Sequence, residues 1–165
     1  MQVVGEANDG LEAFVKAQEL KPDLILMDVQ MPGMDGIEAA RQVKQVLPET
    51  IIVMLTVRSD DELLFEALKN GAQGYLLKEI RSQELLEMLR GALRGEAAIS
   101  PTLAGRVLSE FRRLSKGGIV DQEDDIVRTV LLDQLEYPGR ACLELLVAPR
   151  ELRFKFEQQL RFALE

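Results

Sequence analysis

Three polar residues each close an apolar run. Asp28 follows Leu24-Ile25-Leu26-Met27, Thr56 follows Ile51-Ile52-Val53-Met54-Leu55, and Lys78 follows Gly74-Tyr75-Leu76-Leu77. A carboxylate, a hydroxyl and an ammonium brought to one place could handle a phosphoryl group. The carboxylate can act as a nucleophile toward phosphorus. Thr56 can donate a hydrogen bond to a phosphoryl oxygen, and Lys78 can offset its charge. A divalent cation is expected beside them, because oxygen ligands suit Mg²⁺. Taken singly, each residue has a plainer explanation. Asp commonly precedes a loop, Thr favours strands, and lysines are common on surfaces. The three together, with the loop Asp28-Val29-Gln30-Met31-Pro32-Gly33-Met34-Asp35-Gly36, point to a site.

Such a site needs elements that bring three distant strand ends together. Residues 1–95 alternate short apolar runs with helical patterns. Val3–Ala7 reads as a strand. A helix opens at Asn8-Asp9-Gly10, with Leu11, Phe14 and Val15 on one face, and stops at Lys21-Pro22-Asp23. Leu24–Met27 is continuously apolar, as in a strand buried on both faces. Ile37, Ala40, Val43 and Leu47 mark a second helix, and Ile51–Leu55 another buried strand. Ser59-Asp60-Asp61-Glu62 reads as a capping box with Ser59 as the cap. The helix behind it carries Leu64, Ala67 and Leu68 and closes at Gly71. Leu85, Leu86, Leu89 and Leu93 stripe the next helix, and Ser100-Pro101 opens a further one to about Leu114. Strands alternating with helices in this way imply a parallel sheet wrapped by helices. All strands then end on one edge, where ligands of such folds bind.

Composition narrows the classes. The chain has 165 residues, 47% of them hydrophobic and only 5% aromatic, and a net charge of −8. That charge argues against broad nucleic-acid affinity. There is no histidine and a single cysteine, Cys142, so zinc clusters and histidine-based catalysis are excluded. No apolar run approaches the roughly 18 residues of a membrane span, no signal peptide is expected, and a cytoplasmic location fits best.

Residues 3–95 resemble the receiver domain of two-component response regulators, with its flavodoxin-like (CheY-like) α/β fold. The motifs are Leu-Met-Asp-Val-Gln-Met-Pro-Gly-Met-Asp-Gly at 26–36, Leu-Thr at 55–56 and Gly-Tyr-Leu-Leu-Lys at 74–78. Glu79, where many such domains carry proline, and the helix after Ser100-Pro101 resemble the NarL/FixJ (LuxR-type) subfamily. The resemblance implies that Asp28 accepts phosphate from a sensor histidine kinase. It implies that the Gln30 backbone carbonyl binds Mg²⁺ together with Asp28, and that Thr56 and Tyr75 form a switch pair. It further implies transcription regulation in full-length members, through DNA binding and homodimerisation. Members are not enzymes beyond their own phosphorylation and dephosphorylation.

Two departures shape the expectation for this chain. Receiver domains begin with a strand ending in adjacent acidic residues, whereas this sequence begins at what reads as the second strand. Roughly 30 residues, one strand and one helix, are expected to be lacking, which leaves Mg²⁺ binding weak and the edges of 3–7 and 24–28 uncovered. Asp9 is not expected to substitute, because it opens a helix. The chain divides into a truncated receiver at 1–96, a linker helix at 97–118, and a degenerate helical tail at 119–165. The run Leu135–Val147 faintly echoes the opening helix of a LuxR-type helix-turn-helix, and 149–165 suits one amphipathic helix. Residues 120–165 carry 10 acidic and 6 basic residues, net −4, so DNA binding is not expected of this tail. The alternative function is a pseudo-receiver, an interaction module that is not phosphorylated. A haloacid-dehalogenase-type phosphatase is disfavoured, because the general-acid position two residues past Asp28 holds Gln30.

Overall fold

The computed structural model describes residues 1–57, 60–116 and 144–147. The elements run β1 (Val3–Ala7), α1 (Gly10–Leu20), β2 (Leu24–Asp28), α2 (Gly36–Val46), β3 (Ile51–Thr56), α3 (Asp61–Lys69), β4 (Gly74–Leu77), α4 (Ser82–Leu93), β5 (Ala98–Ile99), α5 (Pro101–Lys116) and β6 (Glu144–Val147). Every strand pair is parallel, in the order β1-β6-β2-β3-β4-β5.

The central strands are apolar along their length because helices cover both faces. Successive side chains point to opposite sides. Ile25, Met27, Ile52, Met54 and Tyr75 therefore join one core with Ala13, Ala17, Ile37, Ala40, Val43, Leu64, Ala67 and Leu103. Leu24, Leu26, Val53, Leu55 and Leu76 join a second with Leu85, Leu86, Leu89 and Ala92 of α4. Burying one large apolar side chain contributes about 1.5–3 kcal/mol, so these two clusters supply the main driving force.

Local signals place most boundaries. Asp9 and Asp35 cap α1 and α2, their side chains accepting from the N–H groups of Glu12 and Glu38, each at 2.8 Å. The N-cap of α3 is Asp60 and makes no side-chain cap bond. The expected cap, Ser59, lies outside the described residues. The expected face of α1 is also corrected. Leu11 and Val15 are exposed, while Gly10, Ala13 and Ala17 are buried with Phe14 half-buried. Small residues let α1 lie close against the sheet and α2, so the contact follows Ala13 and Ala17 and not the larger side chains.

The C-terminal segment departs further from expectation. The run 135–147 reads as a helix in sequence, yet Glu144–Val147 form β6, between β1 and β2. The opening expected between 3–7 and 24–28 is thus occupied. Leu24–Met27 pair in register with Glu144–Val147, and β1 pairs along the other side with a register shift between Val3 and Gly5. A short apolar run is ambiguous between strand and helix by periodicity, and here it pairs with a parallel strand on each side. The amphipathic helix expected over 149–165 lies outside the described residues.

Candidate functional site

The parallel ladder staggers the three strand ends. Asp28 lies opposite Leu55, one residue before Thr56, and Thr56 lies opposite Leu77, one residue before Lys78. Two backbone bonds carry the ladder past the strand ends: Val29 N–H donates to the Leu55 carbonyl at 3.1 Å, and Lys78 N–H to the Thr56 carbonyl at 2.7 Å. Asp28 and Lys78 are thereby held two strand spacings apart, about 10 Å of backbone separation. Lysine's long stem spans β3, and Lys78 Nζ donates to Asp28 Oδ2 at 2.5 Å. Both side chains are largely buried, 10% exposed for Lys78 and 3% for Asp28. The other oxygen, Oδ1, accepts from the Gln30 N–H at 3.2 Å. Asp28 is therefore an oriented, charge-compensated carboxylate at the C-terminal rim of the sheet.

Thr56 and Tyr75 are both fully buried. The Tyr75 hydroxyl makes no hydrogen bond of standard geometry among the described residues. Burial pushes its pKa up, against a lowering by the neighbouring Thr56 hydroxyl. Leu103 of α5 is 2% exposed and packs in the same core. Arg106 of α5 pairs with Asp61 of α3 beside it. Tyr75 thus stands inward, under the helix that follows the receiver-like region.

Sequence reasoning treated Gly36 only as part of a loop, and its position is more demanding. A Cβ there would lie 1.9 Å from the Asp28 carbonyl oxygen. Its N–H donates to the Val29 carbonyl at 3.0 Å, tying the start of α2 to the end of β2. The signal was present as Asp35-Gly36, a capping residue followed by a residue without a side chain.

The described residues fit a resident Mg²⁺ poorly. Among them no group of three His, Cys, Asp or Glu side chains is placed to hold a metal. Asp28 is engaged by Lys78 and the Gln30 N–H. Asp9 caps α1 as a helix-opening residue should. Mg²⁺ demands near-octahedral oxygen geometry, and one paired carboxylate does not supply it.

A parallel sheet with helices on both faces, and Asp, Thr and Lys converging at its C-terminal rim, defines a receiver domain of two-component response regulators. Residues 1–90 match the response regulator receiver domain family, and the chain belongs to it. Its relatives are of the NarL/LuxR type. It is 47% identical over 113 residues to the transcriptional regulatory protein YxjL of Bacillus subtilis (strain 168), covering 68% of this chain and 52% of that protein. It is 40% identical over 119 residues to the transcriptional regulatory protein LiaR of the same organism, covering 72% and 56%. A LuxR-family two-component response regulator from Aurantimonas sp. SI85-9A1 superposes with a TM-score of 0.61 at 34% identity, covering 65% of this chain and 76% of that one. The chain spans about half the length of the curated relatives it matches.

Proposed function

We propose that Asp28 is the phosphoacceptor of this receiver, and that a sensor histidine kinase is the donor. The supporting observation is the buried contact between Asp28 Oδ2 and Lys78 Nζ at the sheet rim. An Asp28 carboxylate oxygen attacks phosphorus, the bond from phosphorus to the donor's imidazole nitrogen breaks, and an acyl phosphate forms on Asp28. The electron pair of the broken bond leaves with the imidazole. Lys78 then shifts from the carboxylate to a phosphoryl oxygen and offsets the added charge, and Thr56 donates its hydroxyl proton to another. Tyr75, already inward, occupies the space that Thr56 leaves and reports the event to α3 and α5.

Receiver domains in general bind Mg²⁺. In the longer relatives, transcription control requires residues beyond the receiver. We extend DNA binding and homodimerisation only to such full-length proteins, in the cytoplasm. Among the described residues no helix is long and apolar enough to cross a membrane.

The test is labelling of the 165-residue chain with a small phosphodonor and Mg²⁺, read by intact mass and peptide mapping. One added phosphoryl group on Asp28, absent in Asp28→Asn, is expected. Label that persists in Asp28→Asn overturns the site. Failure to label under conditions that label a related receiver favours the unphosphorylated interaction module.

A further inference from the structure

Tyr75 is covered by a helix that lies outside the residues matched to the receiver family. That match ends at residue 90, and α5 follows at Pro101–Lys116. Three features seat α5 there. β5 pairs with β4 so that Ile99, two residues before the helix, lies opposite Tyr75. Gly74 permits that approach, because a Cβ there would come within 2.7 Å of the Ala98 Cβ and 2.9 Å of the Ala98 carbonyl oxygen. Leu103 then enters the core that holds Tyr75, with Val107 packed against that core one turn on. Arg106, between them on the helix, pairs with Asp61 in the first turn of α3. Tyr75 itself is fully buried, yet its hydroxyl makes no hydrogen bond of standard geometry among the described residues.

We propose that α5 clamps Tyr75 in its inward seat, that Leu103 and Arg106 are the positioning residues of the clamp, and that docking of α5 and phosphorylation of Asp28 therefore favour each other. This rests on the reading of Asp28 as the phosphoacceptor and of Thr56 and Tyr75 as its switch pair. A buried hydroxyl without a good partner gains by turning out to water. Leu103 fills the space through which Tyr75 would turn. Arg106, near enough to act electrostatically on the tyrosine, ties the same stretch of α5 to α3. That ion pair is partly exposed, so the apolar contact of Leu103 carries most of the clamp. With α5 docked, Thr56 can move to a phosphoryl oxygen while Tyr75 stands ready to fill the space it leaves. With α5 released, an outward Tyr75 leaves that space unfilled and the phosphorylated arrangement is disfavoured. The coupling is reciprocal by linkage, so phosphorylation holds α5 in place as α5 favours phosphorylation. Polypeptide continuing from α5 thus acts on the phosphoacceptor by the pull it exerts on this helix.

Two measurements on the full 165-residue chain test this. The first reads the seat of Tyr75 by 3-fluorotyrosine incorporation, with Tyr137→Phe to leave Tyr75 as the sole tyrosine. Its fluorine signal should be shielded from a soluble paramagnetic agent, and Leu103→Ala should expose it. The second follows label from a small phosphodonor and Mg²⁺. Label should accumulate about tenfold more slowly in Leu103→Ala and about threefold more slowly in Arg106→Ala, because the rate follows the fraction of chains with Tyr75 inward. Leu103→Met keeps the bulk and Arg106→Lys the charge, so both should stay near wild type. In wild type, phosphorylation should slow amide exchange across 103–110 by about tenfold. The clamp is overturned by a fluorine signal equally shielded in Leu103→Ala, or by conservative variants as slow as the alanine ones. Labelling rates unchanged in both alanine variants, or exchange in α5 indifferent to phosphorylation, would overturn the coupling. A wild type that takes no label removes the phosphoacceptor reading and the coupling together, and the fluorine signal still decides the clamp.

Discussion

Lys78 reaches across an intervening strand to place its ammonium 2.5 Å from the Asp28 carboxylate, fifty residues away in sequence. Both side chains are largely buried. Removing one partner leaves the other as an uncompensated buried charge, which typically costs about 3–5 kcal/mol.

Lys78→Met should therefore lower stability by about 3 kcal/mol in urea unfolding. The double variant Asp28→Asn, Lys78→Met should recover more than half of that loss, because no lone charge remains. Strictly additive losses would show that the pair is not coupled in solution.

Gly36→Ala should be severe for a substitution so small. The new Cβ would have to enter the space of the Asp28 carbonyl, a backbone atom that cannot rotate away. A loss of about 3 kcal/mol is expected. The peptide segment around Asp28 should shift as well, visible as amide chemical-shift changes at Val29 and Gln30. Neutral stability would mean that α2 starts farther from β2.

Tyr75→Phe removes a buried hydroxyl that lacks a hydrogen bond of standard geometry among the described residues. An unpaired buried hydroxyl is destabilising, so stability should be unchanged or higher by about 1 kcal/mol. A loss of more than about 1 kcal/mol would establish that the neighbouring Thr56 hydroxyl is bonded to it.

Lys44 gives a pH dependence with a definite sign. Burial lowers its pKa from 10.5 to about 8, with Glu49 acting weakly in the other direction. Its Nζ donates to the Pro48 carbonyl at 2.9 Å. Above pH 8 the folded chain gives up this proton, while the unfolded chain keeps it to about 10.5. The unfolded state then binds more protons, so this residue's contribution to stability rises with pH across that window. Burial raises the pKa of Tyr75 above 10, which makes its contribution fall with pH beyond that value. Measured between pH 7.5 and 9.5, wild type should gain about 2 kcal/mol relative to Lys44→Met. A constant difference across that range would refute the burial of the ammonium.

The elements that carry the site were legible in sequence because their signals are local. Leu24–Met27 and Ile51–Leu55 announce strands covered on both faces, and Asn8-Asp9-Gly10 announces a helix start. All strand ends of a parallel sheet fall on one edge, so Asp28, Thr56 and Lys78 could be picked out together from sequence, and the pairing of β2 with β3 and of β3 with β4 then makes them neighbours. The α1 face was misjudged because hydrophobicity ranks Leu11 and Val15 above Ala13 and Ala17, whereas close helix packing selects for small size. Only the tertiary structure decided the ion pair's reach over β3, the contact of Gly36 with the Asp28 carbonyl, and the inward seat of Tyr75 beneath Leu103. It alone decided the fate of Glu144–Val147. A run of four residues carries no periodicity that separates strand from helix. Its conformation goes with backbone pairing to β1 and β2, which lie more than a hundred residues away in the chain and become neighbours of it only once the sheet exists.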